Sequence, residues 1–323
     1  MSRESRSTTV IQGANLNLGV MNQFGKEFPL ARGWRRMLLH FAVNVTIGTG
    51  TTPIADGLLN FIKKIYLMTD KNELLCDLGG RPLYFIGQKY ARTLPQLAAL
   101  AAANGTYDVY IPILFVNPHS QRPNDTILDS GRYKSIALQV TPGTIADLFA
   151  VPGTATVTCS MDVEIDTTAT ILPAQAQPLL YRSFFAADSV DASIQQYIDI
   201  IRARDLTVEG LMIDTSTGAT VGTPFTGVRS NSILSLLNLK NFDINYLQNK
   251  VAGILQANNK DEYSLEATSA GIYFIDFVKD HSIMASVYTG NLTQFRLDWT
   301  NQAGVAAGNQ VSMVVEGMRA LKA

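Results

Sequence analysis

At 323 residues with 46% hydrophobic side chains, the chain can bury two packed cores. Its formal net charge of −1 argues against a dedicated nucleic-acid binder, which would carry a basic excess. Charged residues make up only 16%, below the roughly one quarter of an average domain.

A surface low in charge and rich in Thr, Asn and Gly suits a protein that covers much of itself with neighbours. The same composition also fits an ordinary β protein. Cys76 and Cys159 are too few for a disulfide framework or a four-ligand zinc site. The polar start from Met1 to Thr9 does not read as a signal peptide. No run of about 18 apolar residues is present to span a bilayer.

Residues 1–32 read as a polar arm with a basic tip, Arg3 and Arg6. Gly13, Gly19 and Gly25 argue against a long helix there. The arm is either a disordered terminus or a segment that reaches a neighbour or a particle interior. Gly33 to Ile47 alternates: Leu39, Phe41, Val43, Val45 and Ile47 on one side, His40, Ala42, Asn44 and Thr46 on the other. That predicts a strand with one buried face. Asp56 to Met68 predicts a second strand, turning at Thr69–Asn72. Leu74–Leu78 returns, and Leu83–Ile86 opens the next segment after Gly79-Gly80. The Ala-rich stretch Thr93–Asn104 predicts a helix, capped by Thr93 and ended by Gly105. Tyr107–Val116 and the alternating Ile136, Leu138 and Val140 predict strands on either side of a polar loop, Asn117–Arg132. Val157 to Ile165 is the clearest alternation in the chain and places Cys159 on its apolar face, as a small core residue.

Thr167 to Pro178 carries no charge and contains two prolines, and reads as a linker with the boundary near Leu172. The second half then repeats the order of the first. Strands are predicted at Leu179–Ala186, Ile194–Ile201, Leu206–Asp214 and Ser232–Leu239. A helix is predicted over Ile244–Ala257, with Leu247, Val251, Ile254 and Leu255 on one side. Ile272–Val278, Phe295–Trp299 and Val311–Val315 predict the last strands. Several echoes tie the halves together. Leu67-Met68-Thr69-Asp70 is echoed by Leu211-Met212-Ile213-Asp214, and Phe115-Val116-Asn117-Pro118-His119 by Phe277-Val278-Lys279-Asp280-His281. About eight strands per half, with turn signals at short spacing, fits a two-sheet jelly roll.

The stretch from Gly33 to Tyr90 resembles the start of the first barrel in double jelly-roll major capsid proteins of tailless icosahedral viruses. It is most similar to the smaller members from membrane-containing bacterial viruses. The resemblance rests on the basic-aromatic entry Gly33-Trp34-Arg35-Arg36, on Asp56-Gly57-Leu58-Leu59-Asn60-Phe61-Ile62 before a long strand, and on the turn followed by Leu83-Tyr84. It implies an all-β fold of two tandem eight-stranded jelly-roll barrels with one short helix in each. The corresponding division is an arm over 1–32, a first barrel over 33–172 and a second over 173–323. It also implies a structural role in a virion shell, assembled after synthesis in a host cytoplasm. The unit would be a homotrimer of nearly hexagonal footprint. Partners would be neighbouring capsomers, minor capsid or vertex proteins, and an internal viral membrane at the N-terminal arm, with no sequence-specific nucleic acid.

Chemistry-bearing motifs point nowhere else. There is no nucleophile elbow, Walker loop, His-Glu-x-x-His or EF-hand loop. Gly48 to Pro53 lacks a Lys and reads as a turn. His40 lies opposite its strand's apolar face, exposed or packed at a domain surface, while His119 and His281 read as solvated residues at strand ends. Asp162 and Glu164 share an outward face and have the residue types of a glycosidase pair, as charged residues on a wet strand face commonly do. Asn124, Asp125 and Asp129 do not complete a calcium ligand set. No catalytic, cofactor-binding or metal-ligating residue is assigned, and the chain is read as a non-enzyme. The alternative is a carbohydrate-binding or adhesin-like β sandwich, for which Trp34 and Trp299 are too few as exposed platforms.

Overall fold

The alternation of Gly33–Thr46 becomes one continuous strand: Met37, Leu39, Phe41, Val43 and Val45 are buried, and the residues between them are half-buried or exposed. The same logic builds the rest of this computed structural model. It describes residues 6–13, 15–90, 95–116, 126–168, 180–200, 206–218, 223–241, 244–263, 265, 269–278, 286–290 and 292–320. The chain divides into two units, the first ending at Ser183 and the second beginning at Phe184, with Gln88–Tyr90 grouped with the second.

Unit 1 has eight principal strands. They are β1 (Arg6–Ile11), β2 (Asn22–Gln23), β3 (Gly33–Thr46), β4 (Ile62–Thr69), β5 (Leu74–Leu78), β6 (Gly105–Leu114), β7 (Ile136–Pro142) and β8 (Thr156–Thr168). Unit 2 has eight more: β9 (Leu180–Asp191), β10 (Tyr197–Asp199), β11 (Leu206–Thr217), β12 (Leu234–Asn241), β13 (Ile244–Val251), β14 (Ile272–Asp276), β15 (Arg296–Asn301) and β16 (Gln310–Ala320).

The pairing order is identical in the two units. One sheet of unit 1 runs β1-β8-β3-β6, and its counterpart in unit 2 runs β9-β16-β11-β14. The remaining strands pair as β2-β7-β4-β5 and as β10-β15-β12-β13. In each unit the first strand thus pairs with the eighth, the eighth with the third and the third with the sixth. The second, seventh, fourth and fifth strands form the facing sheet. That is the jelly-roll arrangement. Between the fifth and sixth strands each unit carries its longest helix, α1 (Gly80–Tyr90) and α2 (Ala252–Tyr263). Two shorter helices, Gly57–Phe61 and Ile145–Leu148, lie in unit 1.

Three predicted elements differ from the structure: the strand expected over Asp56–Met68 is a helix over Gly57–Phe61 and a strand only from Ile62, and the two predicted helices differ as follows. The helix of the first half sits at α1, which spans Leu83–Ile86, and not in the Ala-rich stretch. Pro82 occupies its first turn, where a missing N–H costs nothing. Residues 80–87 are all buried, so no polar face betrays the helical period. The Ala-rich stretch is not helical over its described part, 95–104, and is mostly exposed. Propensity alone does not hold a short helix in water. Instead two tyrosines pin the segment: the Leu97 N–H donates to Tyr84 Oη at 3.1 Å and the Ala101 N–H to Tyr107 Oη at 3.2 Å. In unit 2 the predicted helix over Ile244–Ala257 is a strand up to Val251 and a helix only from Ala252.

The described part of the stretch read as an arm contributes β1 and β2. β1 pairs along its whole length with β8, from Arg6 opposite Thr168 to Ile11 opposite Val163. The expected boundary near Leu172 and most of the linker lie outside the described residues.

Helix α2 buries Ala252, Leu255, Gln256, Asn259 and Tyr263, one stripe at helical spacing. Two of these are polar and serve the end strand β14. Asn259 accepts from the Phe274 N–H at 2.7 Å and donates to the Phe274 carbonyl at 3.1 Å, completing a main-chain pair that no neighbouring strand supplies. Gln256 donates to the Ser269 carbonyl at 3.2 Å and to Asn231 Oδ1 at 2.9 Å. Replacing Asn259 by Ala should leave two buried backbone groups unpaired, at about 1–3 kcal/mol each. Urea unfolding should show a lower midpoint with an unchanged slope.

Both cysteines are buried core residues, as expected for Cys159. Burial pushes the Cys159 thiol up to about 12 and raises Cys76 further, where Asp77 adds to the effect. Their ordinary value is 9.0, so an unfolded chain loses these protons first. Their contribution to stability is full below that pH and declines as pH rises through the window above it. At pH 8 iodoacetamide should leave both thiols unmodified in the native protein and label both in denaturant, read by whole-protein mass.

Candidate assembly surfaces

The outward face of β3, β8 and β6 in unit 1 is built by register. Arg36 lies opposite Asp166, His40 opposite both Asp162 and Tyr110, and Ala42 opposite Asp108. Arg36 reaches Glu164 Oε1 through Nη2 and Asp166 Oδ2 through Nε, both at 2.8 Å. His40 Nε2 lies 2.8 Å from Asp108 Oδ1, its Nδ1 lies 3.9 Å from Asp162 Oδ2, and its ring stacks on Tyr110 at 4.7 Å. Asp162 also accepts the Gly13 N–H at 2.9 Å. The two carboxylates with a glycosidase pair's chemistry are thus each engaged by a neighbouring side chain or backbone group on an open sheet face. These half-exposed pairs hold register more than they add stability.

The other residues singled out from sequence are structural or undescribed. Asp129 accepts the Gly131 N–H at 3.1 Å and pairs with Arg132 Nε at 3.2 Å, while Asn124 and Asp125 lie outside the described residues. His119, His281 and Arg3 also lie outside them. Arg6 opens β1. Gly48 and Gly50 sit in a turn, where Gly50 has φ +76° and a side chain on Gly48 would run into Thr154. Trp34 and Trp299 are 0% and 3% exposed, so neither can offer a face to a sugar. Among the described residues no group of His, Cys, Asp and Glu could hold a metal ion. No described helix is long and apolar enough to cross a membrane.

What the surfaces do offer is apolar area on strands that end their sheets. β13 ends the second sheet of unit 2 and leaves Ile244, Tyr246 and Val251 exposed, followed by Ile254 on α2 at 53%. Tyr246 keeps one edge against Phe277 and Phe295, with centroids 5.9 and 5.6 Å away. In unit 1, Val10 on the end strand β1 and Val20 and Met21 beside β2 are at least half exposed. Met21 lines a shallow hollow with Lys64, Tyr66, Gln139 and Thr141. Sequence reading put Val251 and Ile254 on a core face. The spacing of Ile244 and Tyr246 by two is the one local signal of a strand.

Inside unit 2 lies a charged cluster of another kind. Lys89, at the end of α1, is fully buried, with Nζ 3.0 Å from Asp276 Oδ2 and 3.3 Å from Glu316 Oε1. Tyr263 donates to Asp276 Oδ2 at 3.1 Å and Tyr90 to Glu316 Oε2 at 2.8 Å. Burial pushes the Lys89 ammonium down, but Glu316, Tyr90, Asp276 and Tyr263 together outweigh it and hold it well above its ordinary value. Burial raises Tyr263, which stays a donor. No sequence motif links these residues, which come from three distant segments.

No family model matches the chain, and no curated protein matches it. Solved structures do. The major capsid protein of STIV, Sulfolobus Turreted Icosahedral Virus, superposes with a TM-score of 0.71 at 15% identity, covering 98% of this chain and 97% of that one. The major capsid protein P2 of bacteriophage PM2 gives 0.61 at 12% identity, with 98% of each chain covered. The PBCV-1 virus capsid protein gives 0.64 at 10% identity, covering 98% and 94%. The fold carried by this chain, with its two units of identical strand order, is the double jelly roll of these viral major capsid proteins.

Proposed function

We propose that this chain is a viral major capsid protein whose work is assembly. The observation that carries the reading is the end-to-end match to capsid proteins, 98% of this chain against 97% of the STIV protein. The two buried tryptophans and the engaged carboxylates weigh against a sugar-binding or hydrolytic alternative.

The assembling unit is a homotrimer. Each chain has two unlike apolar borders, Val10, Val20 and Met21 in unit 1 and Ile244, Tyr246, Val251 and Ile254 in unit 2. A border of one kind meeting a border of the other on the next copy is a heterologous contact, and such contacts close into a ring when the rotation permits. Low overall charge lets these borders pack without burying unpaired ions. Permanent interfaces of this kind bury on the order of 2,000 Å² or more. Neighbouring trimers, vertex or minor shell proteins, and a membrane facing the basic N-terminal tip are the further partners this role brings.

Sedimentation or native mass measurement at micromolar concentration should report about three times 35.2 kDa. Placing charges on the unit 2 border, Val251→Glu with Ile254→Glu, should shift the protein towards monomer while its circular dichroism is unchanged. A wild-type chain that stays monomeric at that concentration would remove the reading.

A further inference from the structure

The Lys89 cluster has the parts of a condensation site as well as those of an ion pair. The Lys89 ammonium is held 3.0 Å from Asp276 Oδ2, which fixes the nitrogen beside the carboxyl group it would attack. A second carboxylate stands 3.3 Å from the same nitrogen. The side chains of Lys89 and Glu316 are fully buried and that of Asp276 is 3% exposed. The rings of Tyr90, Phe274 and Tyr263 stand 4.5, 5.3 and 5.4 Å from Nζ and help shut water out.

The two carboxyls are not equivalent. Asp276 is set up as an electrophile: its Oδ1 accepts the Val278 N–H at 2.9 Å, and its Oδ2 accepts the Tyr263 hydroxyl. A backbone donor on one oxygen is what stabilises charge that develops there during attack. Glu316 is set up as a base: Tyr90 holds Oε2 and leaves Oε1 facing the nitrogen.

We infer that Lys89 and Asp276 become joined by an amide bond after folding, with Glu316 carrying the proton. The Lys89 ammonium first passes a proton to Asp276 Oδ2, giving an amine and a carboxylic acid. The Nζ lone pair then attacks Cγ, forming the Nζ–Cγ bond and placing negative charge on Oδ1 under the Val278 N–H. Glu316 takes a proton from the attacking nitrogen and delivers it to Oδ2. The Cγ–Oδ2 bond breaks, water leaves, the carbonyl re-forms at Oδ1 and Glu316 is a carboxylate again. Nothing is oxidised or reduced, and no co-reactant is needed. The strong hold of the two carboxylates on the ammonium makes the first proton transfer the slow step, so this is a single maturation event. Loss of water from a dry site into solvent makes it one-way.

The test is the mass of the full-length protein under denaturing conditions, with peptide mapping, and it is independent of the oligomeric state. The expected mass is one water below that of the sequence. Trypsin should not cut after Lys89, and the Lys89 peptide should be found linked to the peptide holding Asp276. Glu316→Gln keeps the shape of the side chain but cannot accept the proton, and should take the linked fraction from most chains to none. The full sequence mass in aged wild-type protein overturns the inference. So does a missing water mapped elsewhere, or a link from Lys89 to Glu316.

Discussion

Each unit of this protein depends on one long-range pairing, that of its first strand with its eighth. In unit 1 this sets residues 6–11 against 163–168, so the beginning and the end of the unit are hydrogen-bonded side by side. The eighth strand also pairs with the third over nearly its whole length, from Thr156 opposite Thr46 to Thr168 opposite Gly33. One strand therefore closes one of the unit's two sheets, and it is the last to be made. Contacts of such separation must pay the loop-closure entropy before they return anything, so folding of this topology is slow and all-or-none within a unit.

How much of this was legible in the sequence follows from burial. β3 and β8 each have one buried face in long runs, and their period of two reads directly. The Phe-Val echo at 115 and 277 was a true marker, since both pairs follow the sixth strand of their unit. The Leu-Met-x-Asp echo was not: Leu67–Thr69 lies in the fourth strand and Leu211–Asp214 in the third. β1 and β2 were missed because Ser7, Thr8 and Thr9 show no apolar alternation and β2 is two residues long. Helix α1 was missed for the opposite reason, being buried on every side over its first two turns.

The surfaces were less legible than the cores. Ile244, Val251 and Ile254 have the residue types of a core and the exposure of a border, and no local pattern separates the two. The pairing of Lys89 with Asp276 and Glu316 needs three segments brought together by the fold, which no spacing rule encodes. Of the two carboxylates with a glycosidase pair's residue types, Glu164 meets Arg36 on the neighbouring strand and Asp162 lies beside His40 and accepts the Gly13 N–H, contacts that no spacing rule encodes.

The side-chain pair that Asn259 makes with Phe274 also bears on how copies of the protein avoid pairing backbone to backbone. An end strand with free N–H and C=O groups is a template on which another chain can add a strand. Here the cover over that stretch of β14 comes from the same chain and arrives with the helix that precedes it in sequence. The strand is guarded as soon as unit 2 folds, without waiting for a neighbour. At that stretch, backbone pairing with another chain, which would propagate as an aggregate, is closed off.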